Sequence, residues 1–295
     1  MRKHAGMWQA VLACGLRLTG IPWFMREIYA RRKVTVVNYH DPKPAVFAAH
    51  MKAFRRLYSF IDIKELVHAL ERRDFSLLPR KPLLVTLDDG YAGNSQILQV
   101  LTDNDIPVVI YAIAGAVDTA RAFWFDRLVH DGPEMRRLKT VSDCERRRIL
   151  EEEYGHTDER EYDAPVALSR GQLLAFAANR GTIGSHSVSH PMLERCSDDV
   201  GHYECTESRR ILEELTGAPV RHFALPDGSC GEGTKSWVAS AGYATCRTTV
   251  PGWVTPESDL LALPNFGISD DAHVHKAIVQ ACGLWSLLKR LVRRA

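Results

Sequence analysis

Two consecutive carboxylates and a glycine, Asp88-Asp89-Gly90, close the apolar run Leu83 to Leu87. A strand ending this way carries charge to the C-terminal edge of a parallel sheet, where α/β folds keep their active sites. Adjacent strand residues point to opposite faces, so a turn at Gly90 has to make the two carboxylates converge. Asp-Asp-Gly alone is also a common turn. A second pattern, His186-Ser187-Val188-Ser189-His190-Pro191, sets two imidazoles four residues apart. That spacing puts both on the same side of a helical turn and suits one zinc-like ion, although two surface histidines can share it by accident. Such a pair wants a third, oxygen ligand, and the strand-end aspartates are the only unusual carboxylates on offer. A third pattern, Arg221-His222-Phe223-Ala224-Leu225-Pro226-Asp227-Gly228, reads as a strand entering a Pro-x-Gly loop. It is either an ordinary turn or a source of backbone N–H groups lining a pocket.

The elements that must position these residues follow from periodicity. Val34 to Val37 is a buried strand leading into a polar loop, Asn38 to Pro42. Phe47, Met51, Phe54 and Leu57 share one helix face; Ile63, Leu66, Val67 and Leu70 share another, with Asp62 as its cap. Leu83–Leu87, Val108–Ile113, Gly181–Gly184, Phe223–Leu225 and Tyr243–Thr245 supply further short strands, with a helix face at Ile97, Leu98 and Leu101. Helical stretches separate them, which indicates parallel strands with crossover helices in an α/β sheet or barrel. Residues 118–170 interrupt the rhythm as an insertion containing a charged, solvated helix. A well-marked helix spans Ser197 to Gly217, with Ile211, Leu212 and Leu215 on one face.

Ordinary composition, 45% hydrophobic and 25% charged over 295 residues, excludes fibrous, disordered and disulfide-miniprotein classes. Arg17 and Arg26 break the only apolar stretch near membrane-spanning length. The net charge of +2 is unevenly spread: residues 1–33 carry +6, residues 283–295 carry +4, and the body between them carries −8. An acidic body with basic ends argues against nucleic acid as a partner and suggests that the ends meet an anionic lipid layer. Seven cysteines without a Cys-x-x-Cys pair fit a reducing compartment, hence the cytoplasm, either free or peripheral on the inner face of the cell membrane. Met1 to Leu16 faintly resembles an export signal, but Gln9 and Arg17 weaken it. Trp285, Leu287, Leu288, Leu291 and Val292 alternate with Lys289, Arg290, Arg293 and Arg294, a basic amphipathic pattern suited to a membrane surface or to core packing with a solvated face.

Taken together and in this order, the three patterns resemble the polysaccharide deacetylases with a NodB homology domain, carbohydrate esterase family 4. Thr86-Leu87-Asp88-Asp89-Gly90 is similar to that family's Thr-Phe-Asp-Asp-Gly, His186 to Pro191 to its His-Ser/Thr-x-x-His-Pro, and Phe223 to Gly228 to its Pro-Tyr-Gly loop. The likeness runs from Val34 to Ile268 and includes Tyr39-His40. It implies a distorted, TIM-like (β/α) barrel of about seven parallel strands. It also implies a domain over residues 34–282, an N-terminal segment 1–33 and a C-terminal helix 283–295.

By the same resemblance, Asp89, His186 and His190 hold one divalent metal ion, usually Zn2+, and Asp88 is the general base. A backbone N–H at Asp227 would face the oxyanion, and Tyr39 and His40 would border the substrate. Three protein ligands leave a position for a water whose pKa the metal lowers toward about 7. The implied reaction is hydrolysis of a linear amide: removal of N-acetyl groups from an N-acetylated (poly)saccharide, free or lipid-linked. O-deacetylation, deformylation of a related sugar, or a catalytically weak glycan-binding or complex-forming role are the alternatives. Two departures stand out. Ala224 occupies the place of a customary arginine that pairs with the catalytic aspartate, with Arg221 or Arg247 as substitutes. No Leu-x-x-His motif is legible for the general acid, for which His40, His273 and His275 are the candidates. Phe123-Trp124-Phe125 is either a sugar-stacking platform or a set of buried aromatics.

Overall fold

The computed structural model describes residues 2–129, 132–228 and 230–294. Its strands are β1 (Thr35–Tyr39), β2 (Ser59–Phe60), β3 (Pro82–Leu87), β4 (Val108–Ala112), β5 (Gly181–Ser185), β6 (His222–Ala224), β7 (Thr245–Pro251) and β8 (Leu263–Gly267). All pair in parallel in the order β1-β8-β7-β6-β5-β4-β3, and β1 pairs again with β3, so seven strands close into a barrel. The two-residue β2 lies outside the ring on β3. Closure removes sheet edges and converges seven strand ends on one mouth.

The elements form where apolar periodicity demands. β3 and β4 are buried along their whole length, as strands covered on both faces must be. Asp62 caps helix Ile63–Glu71 in a reciprocal capping box with Glu65. Helices Pro44–Arg55 and Val274–Ala281 pack on one side, burying Phe47, Met51, Phe54, Ala277 and Ile278 in the main core.

Four expectations change. β1 continues through Asn38 and Tyr39, which the sequence places in a loop, because the polar Asn38 is paired to Asp88 inside the barrel. The seventh strand starts at Thr245 and runs to Pro251, so Tyr243 and Ala244 precede it. β8 carries Pro264 and Asn265 and shows no apolar run. The insertion is not merely solvated: helices Pro133–Leu138 and Asp143–Tyr154 bury Met135, Leu138, Ile149 and Leu150 with Trp124 and Met192 in a small core of their own.

At the N-terminus, helix Arg2–Leu18, a turn at Ile21–Phe24 and a π-helical turn at Met25–Tyr29 precede the barrel. Ala13, Leu16 and Met25 share a satellite cluster with Val279 and Cys282, and with Leu284, Trp285 and Leu288 of the C-terminal helix Leu284–Arg294. Among the described residues, no helix is long and apolar enough to cross a membrane.

Candidate active site

β3 delivers Asp88 and Asp89 to the mouth. Asp89 has φ +66° and Gly90 φ +73°, two successive left-handed residues that fold the chain back so that Gly90 N–H bonds to Asp88 C=O at 2.7 Å. The reversal turns both carboxylates toward the same opening, and a Cβ on Gly90 would lie 3.1 Å from that of Ala112.

His186 follows β5, but the two imidazoles are not on a helix as their spacing suggests. Ser187 (φ +68°) and His190 (φ +58°) bend a loop that pairs with the exit of β4 through Ala114 N–H to Ser187 C=O and Gly115 N–H to Val188 C=O. The bend achieves what a helical turn would. Asp89 Oδ1 lies 3.5 Å from His186 Nε2 and 3.6 Å from His190 Nε2, and the donor atoms of all three residues lie within 4.8 Å of one another.

This donor set fits a divalent metal. His186 Nδ1 is tied to Ala224 C=O at 2.7 Å, which leaves Nε2 for a ligand, an orienting contact common among metal-binding histidines, whereas His190 Nδ1 is buried without a partner. Burial holds the His186 imidazole down at about 4 and that of His190 well below its ordinary value, so both are neutral, as ligands must be. Burial, with Asp88 and Asp126 adding repulsion, raises the Asp89 carboxyl to about 7.

Asp88 is in the opposite electrostatic state. Burial pushes its pKa up, but Arg247, with His186 and His40, outweighs this and holds it below the usual carboxylate range. Arg247 Nη2 lies 2.6 Å from both Asp88 oxygens, and Asn38 Nδ2 donates to Oδ2 at 3.1 Å. Arg247 stands on β7 in register with Ala224 on β6, so the guanidinium comes from the neighbouring strand. Arg221 is exposed and takes no part.

A family profile described as polysaccharide deacetylase matches residues 77–246, more than half of the chain, spanning both aspartates and both histidines and ending one residue before Arg247. The chain belongs to the polysaccharide deacetylase family. Solved structures similar to this deacetylase-family chain include the Streptococcus pyogenes deacetylase PplD in complex with acetate (TM-score 0.63, 18% identity, 84% of this chain and 98% of that one). IcaB from Ammonifex degensii is also similar (0.61, 18%, 85% and 97%), as is the BpsB deacetylase domain from Bordetella bronchiseptica (0.59, 15%, 80% and 96%). At these identities the likeness is one of fold. A search of curated protein sequences found no match.

The other residues singled out from sequence divide. His40 stands at the rim, its N–H held by Asp270 Oδ1 at 3.1 Å and its C=O by Asn94 Nδ2 at 2.7 Å. Desolvation in the crowded mouth lowers its pKa, but Asp89, Asp88 and Asp270 outweigh this and raise it. Asp227 (φ +56°) sits in the Pro-x-Gly loop, its carboxylate paired with Lys139 at 2.5 Å. Tyr39 does not border a substrate: its ring is fully buried against Phe47 and its hydroxyl meets His50 Nδ1 at 3.1 Å. Its contribution is a backbone C=O that accepts from Asp88 N–H at 2.8 Å. His273 caps helix Val274–Ala281 and His275 bonds to Arg17 at 2.5 Å, both structural tasks. Of the aromatic trio, Phe123 and Trp124 are buried, and Trp124 Nε1 donates to His190 C=O at 2.9 Å. Half-buried Phe125 packs on the His190 ring at 4.7 Å.

Glu204 went unnoticed in the sequence. From helix Asp198–Thr216 it accepts from Val188 N–H (2.8 Å), Ser189 N–H (3.0 Å) and Ser189 Oγ (2.6 Å), fixing the loop that carries both histidines. The available signal was position: Glu204 shares the inner stripe of its helix with Gly201, Cys205, Ser208 and Leu212, where a carboxylate needs a donor.

Proposed function

We propose that this protein is a metal-dependent amidohydrolase that removes N-acetyl groups from an N-acetylated (poly)saccharide. The supporting observation is the division of labour between adjacent carboxylates: Asp88, clamped and ionised by Arg247 and Asn38, stands beside a neutral two-histidine, one-carboxylate donor set. Asp89, His186 and His190 would hold the ion, and two imidazoles with one carboxylate suit Zn2+. When bound, the ion supplies Lewis-acid activation of water and of the amide carbonyl.

The remaining work falls to side chains of this chain. Asp88, held in its carboxylate form, accepts the proton of the attacking water at Oδ1, the oxygen that Arg247 shares but Asn38 does not hold. The Asp227 backbone N–H, on a loop braced by Thr249 Oγ1 to Asp227 C=O at 3.2 Å, is the candidate donor to the developing oxyanion. His40 is the candidate proton donor to the departing amine, because it stands at the rim of the mouth and Asp89, Asp88 and Asp270 favour its protonated form. Acetate and a free amino sugar leave. A lipid-linked glycan is the form of substrate that suits the apolar helices at the two ends of the chain.

The binding-subunit alternative rested on Ala224 and on the unassigned acid, and the Arg247 clamp removes the first of these grounds. The test is acetate release from N-acetylglucosamine oligomers by zinc-supplemented protein beside Asp88→Asn. Release that falls by orders of magnitude in the variant, with about one metal per chain retained, supports the reading. Equal release by both proteins refutes the role of Asp88, and none from either, on oligomers or lipid-linked glycans, refutes the activity.

A further inference from the structure

Among the described residues, sixteen large apolar side chains are exposed, and twelve of them lie in residues 8–29 and 284–294, segments making up little more than a tenth of the chain. Helix Arg2–Leu18 buries Ala13 against the body and turns Trp8, Val11, Leu12 and Leu18 outward, with Trp8 67% and Leu18 85% exposed. A helix that is apolar on both faces belongs in a core or against a nonaqueous phase. The following turns bury Pro22, Arg26 and Ala30 and present Ile21, Trp23, Phe24 and Ile28. Helix Leu284–Arg294 buries Leu284 and presents Leu287, Leu291 and Val292. The three pieces meet, since Leu16, Met25 and Leu288 share one satellite cluster.

The charge around this surface selects the partner. Lys289 and Arg290 are exposed between Leu287 and Leu291, and Arg31, Arg32 and Lys33 follow the π-helical turn, with Lys33 Nζ 3.6 Å from the Tyr29 ring centroid. The only acid in these segments, Glu27, is neutralised by Arg26 at 2.8 Å and Lys81 at 3.1 Å. A second copy of this chain would bring the same positive charge and repel itself. Indoles, aliphatic side chains and a surrounding of unopposed Lys and Arg match an anionic bilayer, with the rings at headgroup depth.

We propose that the outward faces of helices Arg2–Leu18 and Leu284–Arg294 and of the Ile21–Tyr29 turns form one docking surface for an anionic lipid bilayer. The protein lies on the membrane through it and does not span. The inference stands apart from the chemistry of the barrel mouth and would survive the loss of the deacetylase reading.

The test is cosedimentation of the full chain with vesicles of phosphatidylcholine alone and of phosphatidylcholine with phosphatidylglycerol, over a range of salt. Binding should require the anionic lipid, weaken as salt rises, and fall at least about twentyfold in Lys289→Glu/Arg290→Glu, since each basic residue near such a surface is worth roughly fivefold. Trp23→Ser/Phe24→Ser should weaken binding at every salt concentration, with an unchanged circular dichroism spectrum because both side chains are exposed. Absence of wild-type binding to anionic vesicles overturns the proposal. So does sedimentation velocity showing a dimer that Trp23→Ser/Phe24→Ser dissociates while vesicle binding persists. Acetate release from soluble oligomers is a separate readout, so a failed deacetylase reading leaves the vesicle result intact.

Discussion

Replacing Arg247 by methionine isolates the clamp on Asp88. Both partners are almost wholly buried, and one guanidinium nitrogen lies 2.6 Å from each carboxylate oxygen. Removing one member of a buried pair strands the other's charge and costs about 3–5 kcal/mol. That is a large share of the roughly 5–15 kcal/mol that holds a typical domain folded. The urea midpoint of Arg247→Met should therefore fall steeply, while Arg247→Lys, which keeps a charge, should fall less. If the cost is the stranded carboxylate, Asp88→Asn/Arg247→Met should recover much of it, with a coupling energy of about 2–3 kcal/mol. The pH effect has a defined sign. Asp88 is held below its ordinary pKa, so its contribution to stability is present above the unfolded-state value and is lost as pH falls through the folded-state value. Without the guanidinium, burial dominates and raises the pKa, so the acid limb of the acetate-release profile should move to higher pH. An acid limb that stays in place, or a double variant whose loss equals the sum of the single losses, would refute the reasoning.

Three further expectations concern the mouth. With the site free of metal, the raised carboxyl of Asp89 contributes stability below pH 4 that is lost as pH rises through about 7. Asp89→Asn should therefore stabilise the metal-free protein at pH 8, by an amount on the order of 4 kcal/mol as an upper bound, measured by urea unfolding in chelator; no gain would contradict the burial argument. Zinc at about a hundred times its Kd should stabilise the wild type by roughly 2.7 kcal/mol, an effect chelator reverses and His186→Ala/His190→Ala abolishes in calorimetry. Glu204→Gln should lower metal affinity by about 10- to 100-fold through a loosened histidine loop, and a titration indistinguishable from wild type would deny Glu204 its positioning role.

The legible part of the molecule was that in which chemistry and local pattern coincide. Asp88, Asp89, His186 and His190 stand beside strand ends marked by apolar runs, and the structure brings the three candidate ligands Asp89, His186 and His190 together. The illegible part depended on contacts between distant segments. Arg247 reaches Asp88 across 159 positions; the sequence offers Arg221 and Arg247 alike as stand-ins for the residue missing at Ala224, and only the register of β6 with β7 decides for Arg247. β8 was hidden because its Pro264 and Asn265 break the apolar run, and Tyr39 misled because its side chain enters the core while its neighbour His40 reaches the rim. The histidine pair shows a correct outcome reached through a different geometry: a loop bent at two left-handed residues does the work assigned to a helical turn.

The placement of Arg247 also governs the order in which the protein can become active. Asp88 leaves β3 and Arg247 sits on β7, with β4, β5 and β6 between them along one arc of the ring and β1 and β8 along the other. Their contact forms only once the chain beyond residue 247 has been gathered into the barrel, and such long-range pairings are slow to form. A nascent or nicked chain ending before β7 can hold both aspartates and both histidines and still lack the cation that keeps Asp88 ionised. With Asp88 as the proposed base, catalytic competence is tied to completion of the ring, and loss of activity would report the detachment of β7 before the bulk of the helices unfolds.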